Sequence, residues 1–135
     1  MDSRARTAFA LLVAAQAFHS VEEYVFRLFD VFALTRFVSG LLSRNLATGF
    51  AIANTGIVLF GLVCLLGPVR AGRAAGRFIA WGWTIVEFAN GVVHVALAVM
   101  HRGYFPGLGT APLLLGASAY LASRLRSEPR PDAHG

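Results

Sequence analysis

Residues 46–67, LATGFAIANTGIVLFGLVCLLG, form an apolar run without a single charged side chain. A helix that crosses the hydrocarbon core of a bilayer needs roughly 20 residues of this kind. The whole chain of 135 residues is 56% hydrophobic and 14% charged, with a mean hydropathy of +0.62. Because a soluble domain of this length would need a larger polar surface, the composition indicates an integral membrane protein.

Working outward from this run, the sequence predicts an all-α fold, a polytopic membrane four-helix bundle. The predicted spans lie at about residues 7–29, 46–68, 78–100 and 107–125. Pro68 ends the second span and Pro106 precedes the fourth. Residues 30–45 are apolar with polar breaks, which is typical of an interfacial helix or a loop lying on the bilayer. We expect one domain, residues 1–126, followed by a disordered cytoplasmic tail, residues 127–135.

The start of the chain also has features of a cleavable signal peptide, with arginines, an apolar stretch and the A-x-A sequence of residues 15–17. The apolar character continues as far as Phe29, however, so we assign this segment to the first span.

The basic residues of the chain are all arginines, and the net charge is +5. They lie between apolar runs and form no basic stripe beside stacking aromatic residues, so we expect no nucleic-acid partner. With four spans, most arginines fall on the side of the two termini: Arg4, Arg6, Arg70, Arg73, Arg77, Arg124, Arg126 and Arg130, against Arg27, Arg36, Arg44 and Arg102 on the other side. The positive-inside rule therefore predicts that both termini are cytoplasmic.

Polar residues interrupt the predicted spans at similar depths. At 1.5 Å per residue, three helices bring the following set into one layer: Gln16, His19, Glu22, Glu23, Asn54, Glu87, Asn90 and His94. A charged group near the bilayer centre costs about 2.5–3.5 kcal/mol, so such residues usually face the bundle interior and mark a functional site. The alternatives are a buried polar network that only fixes packing and, for Glu23, an ion pair with Arg27 one helical turn away.

Three motifs in this order resemble one protein family. HSVEE (residues 19–23), NGVVH (90–94) and YFPG (104–107) are similar to the HXXEE family of small bacterial integral membrane proteins. The resemblance spans nearly the whole chain. It implies a membrane fold, located here in the bacterial inner membrane, but it assigns little chemistry because the family is largely uncharacterised.

The first functional hypothesis is a metal-dependent membrane enzyme. Histidines and carboxylates on facing helices can bind iron, manganese or zinc. The predicted ligands are His19, Glu23, Glu87 and His94, while Glu22 bridges or tunes the site. Side chains around the ligands or the substrate would be Gln16, Tyr24, Asn54, Trp83 and Asn90. The reaction would be oxidation, hydroxylation or hydrolysis of a lipid-soluble small molecule.

The second hypothesis is metal-free acid/base catalysis, the isomerisation or cyclisation of a terpenoid or sterol-like molecule. The chain is similar in composition and architecture to membrane bundles of the emopamil-binding type. Glu23 or Glu87 would protonate the substrate, and His19 or His94 would remove a proton. Trp83, Phe18 and Tyr24 would line the cavity.

The third hypothesis is not catalytic, because intramembrane glutamates and histidines also suit proton relays. The chain would then be a small proton-coupled transporter or a structural membrane subunit. Four short spans are few for a transporter, so this role would favour a homo-oligomer.

Overall fold

A computed structural model describes residues 1–72 and 74–127 of the chain. Within these ranges the chain forms six α-helices and no strand, which confirms the predicted all-α class. The helices are α1 (Ser3–Val25), α2 (Leu28–Val31), α3 (Ala33–Leu42), α4 (Leu46–Cys64), α5 (Ala74–Met100) and α6 (Ala111–Ser127). A π-helical turn, Leu65–Val69, extends α4. Of the predicted disordered tail, residues 128–135 lie outside the described residues.

The first helix is shorter at its C-terminal end than the predicted span. α1 ends at Val25, because Arg27 adopts the left-handed conformation with φ 56°. Leu28 and Phe29, which the prediction placed in the first span, therefore lie in α2. Both are buried, and the Phe29 ring packs 5.3 Å from the Phe50 ring of α4. The turn folds the chain back against the bundle before α3 begins.

The connection between α4 and α5 is tight. Pro68 was predicted to end the second span, but it lies inside the π-helical turn. Proline has no N–H to donate, and its ring clashes with the preceding turn of a regular α-helix. Gly76 of α5 packs against Pro68 so closely that a Cβ atom would overlap the Pro68 carbonyl oxygen. The two helices are therefore joined closely at this end.

α1 packs against α4, α5 and α6. Its N-terminal half contributes Phe9 and Leu12 to a buried cluster with Leu114 and Leu121 of α6. A second buried cluster, which includes Phe105, surrounds α2. The polar residues of α1 lie in sequence between its contributions to the first cluster and α2, which contributes Leu28 and Phe29 to the second.

Two of the four predicted spans have the length and composition needed to cross a membrane. They are Leu46–Val69 and Ala74–Met100, and in their most apolar windows only 22% and 33% of the residues are buried. Large apolar side chains point outward from both helices, such as Phe60 and Val63 of α4 and Phe78 and Val99 of α5. The exterior of this pair of helices is therefore apolar.

Candidate functional site

Two histidines and one glutamate converge between α1 and α5. Glu23 Oε1 lies 3.0 Å from His94 Nε2 and 3.3 Å from His19 Nε2. One candidate ligand atom from each residue lies within 4.8 Å of the other two, and all three residues are buried. His19 and Glu23 share a face because they are four residues apart on α1. Arg27, the alternative partner of Glu23, instead pairs with Asp30 at 2.5 Å.

The His94 ring is oriented by a backbone carbonyl. Its Nδ1 lies 2.6 Å from the carbonyl oxygen of Pro106. Because a carbonyl oxygen can only accept a hydrogen bond, Nδ1 carries the hydrogen. In the neutral ring, Nε2 then presents a lone pair towards Glu23.

The His19 ring is oriented in the same way by a hydroxyl group. Its Nδ1 lies 2.8 Å from Thr110 Oγ1. The Thr110 hydroxyl donates its one hydrogen to Glu22 Oε2, so its oxygen accepts from His19 Nδ1–H. His19 Nε2 is therefore unprotonated in the neutral ring, and it makes no hydrogen bond with any other described residue.

Three acceptor atoms thus face one another, the two Nε2 atoms and one Glu23 oxygen. With both rings neutral and the carboxylate ionised, none of the three carries a hydrogen, so either a proton on one imidazole nitrogen or a bound cation would hold these atoms together. Imidazole nitrogens and carboxylate oxygens are ordinary ligands of zinc and iron. The Nδ1–H hydrogen bonds to Pro106 and Thr110 are the outer contacts that metal-bound histidines usually make. The donor set therefore fits a divalent metal ion.

Glu22 faces away from this cluster and binds the segment before α6. Its carboxylate accepts hydrogen bonds from the Tyr104 hydroxyl, from Gly109 N at 2.8 Å and from Thr110 N at 2.7 Å. A carboxylate is favourable at a helix N-terminus, where backbone N–H groups are otherwise unpaired. Desolvation and the bond to Glu22 raise the pKa of the Tyr104 hydroxyl, which stays protonated and donates. Glu22 therefore fixes the loop that orients the histidines.

Gly107 allows this loop to cover both imidazole rings. Its φ is +94°, a conformation that side chains rarely adopt. A Cβ atom at this position would overlap the His94 ring and lie 2.8 Å from His19 Cε1. Sequence reasoning missed the roles of Pro106, Gly107 and Thr110, and the only local signal was the Pro-Gly dipeptide, which is typical of a turn.

A hydrogen-bond chain links α1 to α4 beside the cluster. Gln16 Nε2 donates to Ser20 Oγ at 3.1 Å, and the Ser20 hydroxyl donates to Asn54 Oδ1 at 2.7 Å. Asn54 Nδ2 donates to the Phe50 carbonyl oxygen. Gln16 and Asn54 are therefore linked through Ser20, a residue that the sequence did not single out. The His19 ring takes no part in this chain of hydrogen bonds, because its Nδ1 contacts Thr110.

Glu87 does not belong to the converging set. It is buried on α5 two helical turns before His94, and Asn90 lies one turn further along the same face. Its Oε2 has no hydrogen-bond partner among the residues that the structure describes. Trp83, one turn earlier, stacks on Phe60 of α4 with ring centroids 6.2 Å apart.

The two other aromatic residues predicted near the site lie on different faces of α1. Tyr24 lines a cavity of about 360 Å³ between α1 and α4, and it packs beside Phe29 and Phe50. Phe18 is 66% exposed on the outer surface of the helix. Of these two residues, Tyr24 lies at a cavity wall and Phe18 lies on the exterior.

A cavity of about 420 Å³ opens between α4 and α5. Its polar wall is formed by Gln16, Glu87 and Asn90, and its apolar wall includes Phe60 and Trp83. A smaller cavity of about 230 Å³ shares Gln16 and Asn90 with the first and extends to Glu23. The two cavities share lining residues, and the smaller one is lined by Glu23 of the converging set.

Comparison with known proteins gives one match. The family described as "protein of unknown function with HXXEE motif" matches residues 10–121. No curated protein and no solved structure matches the chain. The matched range includes the converging residues of α1 and α5 and the loop that covers them.

Proposed function

Since this chain belongs to the family of proteins of unknown function with an HXXEE motif, we propose a function from its geometry: an integral membrane enzyme that uses a divalent metal ion to act on an apolar small molecule. The observation that carries the proposal is the convergence of His19 Nε2, His94 Nε2 and a Glu23 oxygen. Both rings are held by their Nδ1 atoms, so the nitrogens that face Glu23 are free to bind the ion.

Iron, manganese and zinc are the candidate ions. Two histidines and one carboxylate leave open positions on the ion, as in non-haem iron oxygenases and catalytic zinc sites. Bound iron would supply oxidation or hydroxylation chemistry, and bound zinc would supply hydrolysis.

The remaining polar residues have roles that follow from their places. Thr110 and Pro106 orient the two rings, and Glu22 holds Thr110. Glu87 lies on the cavity wall, where its carboxyl group can exchange a proton with a bound substrate. The apolar lining of the cavity supports a lipid-soluble substrate.

The membrane location is supported by α4 and α5. A core helix of a soluble protein would be mostly buried, whereas the most apolar windows of these two are 22% and 33% buried. We propose that α1 and α6 complete a four-span bundle in one domain, residues 1–126, with α2 and α3 at the interface. The arginine distribution supports an orientation with both termini in the cytoplasm. We propose the bacterial inner membrane as the location on the resemblance to the family alone.

A second candidate function is metal-free acid/base isomerisation or cyclisation. It is favoured by Glu87, a buried carboxyl group with an unpartnered oxygen at a cavity wall. Such a group can act as a general acid or base towards a substrate that excludes water.

Elemental analysis by mass spectrometry of the detergent-purified protein tests the proposal. We expect near-stoichiometric iron, manganese or zinc, and its loss in the His19→Ala, His94→Ala double variant. His101→Ala is the matched control, since this exposed histidine lies outside the converging set. Absence of bound metal after supplementation with all three ions under reducing conditions would contradict the metal-dependent function and leave the acid/base candidate.

A further inference from the structure

We infer that the larger cavity between α4 and α5 binds a single-chain apolar molecule whose head group donates a hydrogen bond, a hydroxyl or an amine. The head group would lie at the polar wall formed by Gln16 and Glu87, and the chain would leave between the two helices. The inference deepens the proposed function and rests on it in one respect: the bound molecule becomes the substrate only if the adjoining metal site exists.

The first observation is the orientation of the Gln16 amide. The Asn54 amide is fixed because its Nδ2 donates to the Phe50 carbonyl oxygen, so its Oδ1 accepts the single hydrogen of Ser20. Ser20 Oγ can then only accept from Gln16, which must present Nε2 to it. Gln16 Oε1 therefore cannot bond to Ser20, and it is buried without a hydrogen-bond partner among the described residues.

The second observation is the carboxyl group of Glu87. Its Oε2 is also buried and unpartnered within the described part of the chain, while the other side of the group lies beside Asn90. Gln16 and Glu87 are each 3% exposed, and both line the same cavity. Buried acceptors without a donor are costly, so two of them in side chains that line one cavity point to a ligand that supplies the donor.

The third observation is the apolar remainder of the cavity. Phe60 and Trp83 stack on each other, and the rim residues Ile57 and Val86 are exposed on the outer face. The volume of about 420 Å³ falls within the range of small-molecule sites. The backbones of α4 and α5 lie apart along most of their length, so the cavity has a lateral opening. A chain longer than the cavity can extend through this opening into surrounding lipid.

Fluorescence quenching of Trp83 in the full-length protein reconstituted in lipid nanodiscs tests the inference. The sequence has two tryptophans, and Trp81→Phe leaves Trp83 as the reporter. The probes are an 18-carbon alcohol, the corresponding amine and the methyl ether of the alcohol, each with two bromine atoms at mid-chain. We expect the alcohol, the amine or both to reach half-maximal quenching at about tenfold lower concentration than the ether, which has no hydrogen to donate.

Variants identify the acceptors. Glu87→Leu and Gln16→Leu should each reduce the preference for the donor head group, and the double variant should abolish it. Glu87→Gln keeps an acceptor oxygen and should retain the preference, which keeps the test decisive if Glu87→Leu fails to fold. Ser118→Ala is the matched control, because Ser118 is also buried and unpartnered among described residues but lies on α6, away from this cavity.

Equal quenching by all three probes would overturn the inference, as would a preference for the donor probes that survives in the Glu87→Leu, Gln16→Leu double variant. The titration is repeated after EDTA treatment, with elemental analysis of the same samples. A donor preference without stoichiometric metal would contradict only the proposed metal function. Stoichiometric metal without a donor preference would contradict only the ligand class.

Discussion

Each candidate histidine ligand is held by a group from the loop that precedes α6. His94 donates to the Pro106 carbonyl oxygen, and His19 donates to the Thr110 hydroxyl oxygen. Contacts of this type fix the tautomer and the orientation of a ligating ring and raise its basicity. The loop therefore determines which nitrogen of each ring faces Glu23.

Thr110→Val should weaken metal binding. The substitution keeps the shape of the side chain but removes the acceptor for His19 Nδ1–H, so we expect affinity to fall about 10- to 100-fold. Competition with a chromophoric chelator measures this change. Thr110→Ser should restore most of the affinity, and Thr84→Val, which removes a buried hydroxyl bonded only within α5, should leave it unchanged. Equal affinity in Thr110→Val and the wild type would contradict the role of Thr110.

Gly107→Ala should abolish stoichiometric metal binding and lower thermal stability. A Cβ atom would collide with both imidazole rings, and the positive φ adds backbone strain. Gly116→Ala is the matched control, since a Cβ there meets open space within α6 and alanine favours the helix. Metal content and unfolding temperature of the two variants check the prediction, and normal metal content in Gly107→Ala would refute it.

At the level of single residues, the sequence predicts part of this arrangement. His19 and Glu23 are four residues apart, about 6 Å along a helix, so both can reach one ion. Glu87 and His94 share a face but are seven residues apart, about 10.5 Å along α5, which separates Glu87 from the converging set. Thr110 could not be assigned to His19 because 91 residues separate them and no local pattern reports the contact.

At the level of elements, Glu22 connects the C-terminal end of α1 to the N-terminal end of α6. The backbone N–H groups at the start of a helix have no partner within that helix, and the Glu22 carboxylate accepts from Gly109 N and Thr110 N. Charge-assisted bonds of this kind are stronger than neutral ones. In the HXXEE motif the two glutamates thus differ, since Glu23 faces the histidines and Glu22 faces α6.

Glu22→Gln should destabilise the docking of α6. The amide presents one acceptor oxygen instead of two, and its NH₂ group opposes the N–H donors, so we expect a loss of about 1–2 kcal/mol. Unfolding in detergent and hydrogen exchange at residues 110–114 measure the effect. Asp30→Asn is the control, because it removes a carboxylate from an exposed ion pair. An equal effect of both substitutions would contradict the docking role of Glu22.

The observed helix boundaries show that an apolar sequence pattern does not determine where each helix begins. The second predicted span, 46–68, agrees closely with Leu46–Val69 because its sequence is uniformly apolar. The fourth was predicted from residue 107, but α6 begins at Ala111 because the preceding residues fold over the histidines. Apolar residues such as Phe105 satisfy a hydropathy pattern equally well in a buried loop and in a helix.

At the level of the whole molecule, the proposed topology can be tested with single cysteines. Cys64→Ser removes the only cysteine of the sequence. On this background, Ser3→Cys and Ser127→Cys should react with a membrane-impermeant maleimide only from the cytoplasmic side, and Gly103→Cys only from the outside. If only α4 and α5 crossed the bilayer, all three positions would react from the same side, which would exclude the four-span arrangement.

The contact between His19 and Thr110 also sets an order of events during synthesis. A ribosome makes the chain from its N-terminus, and 91 residues separate these two partners. His19 and Glu23 therefore leave the ribosome long before the loop that orients them. The three candidate ligands are all present once α5 has been made, but the two rings are oriented only when the segment before α6 has followed and docked, so metal loading would be delayed until biogenesis is nearly complete.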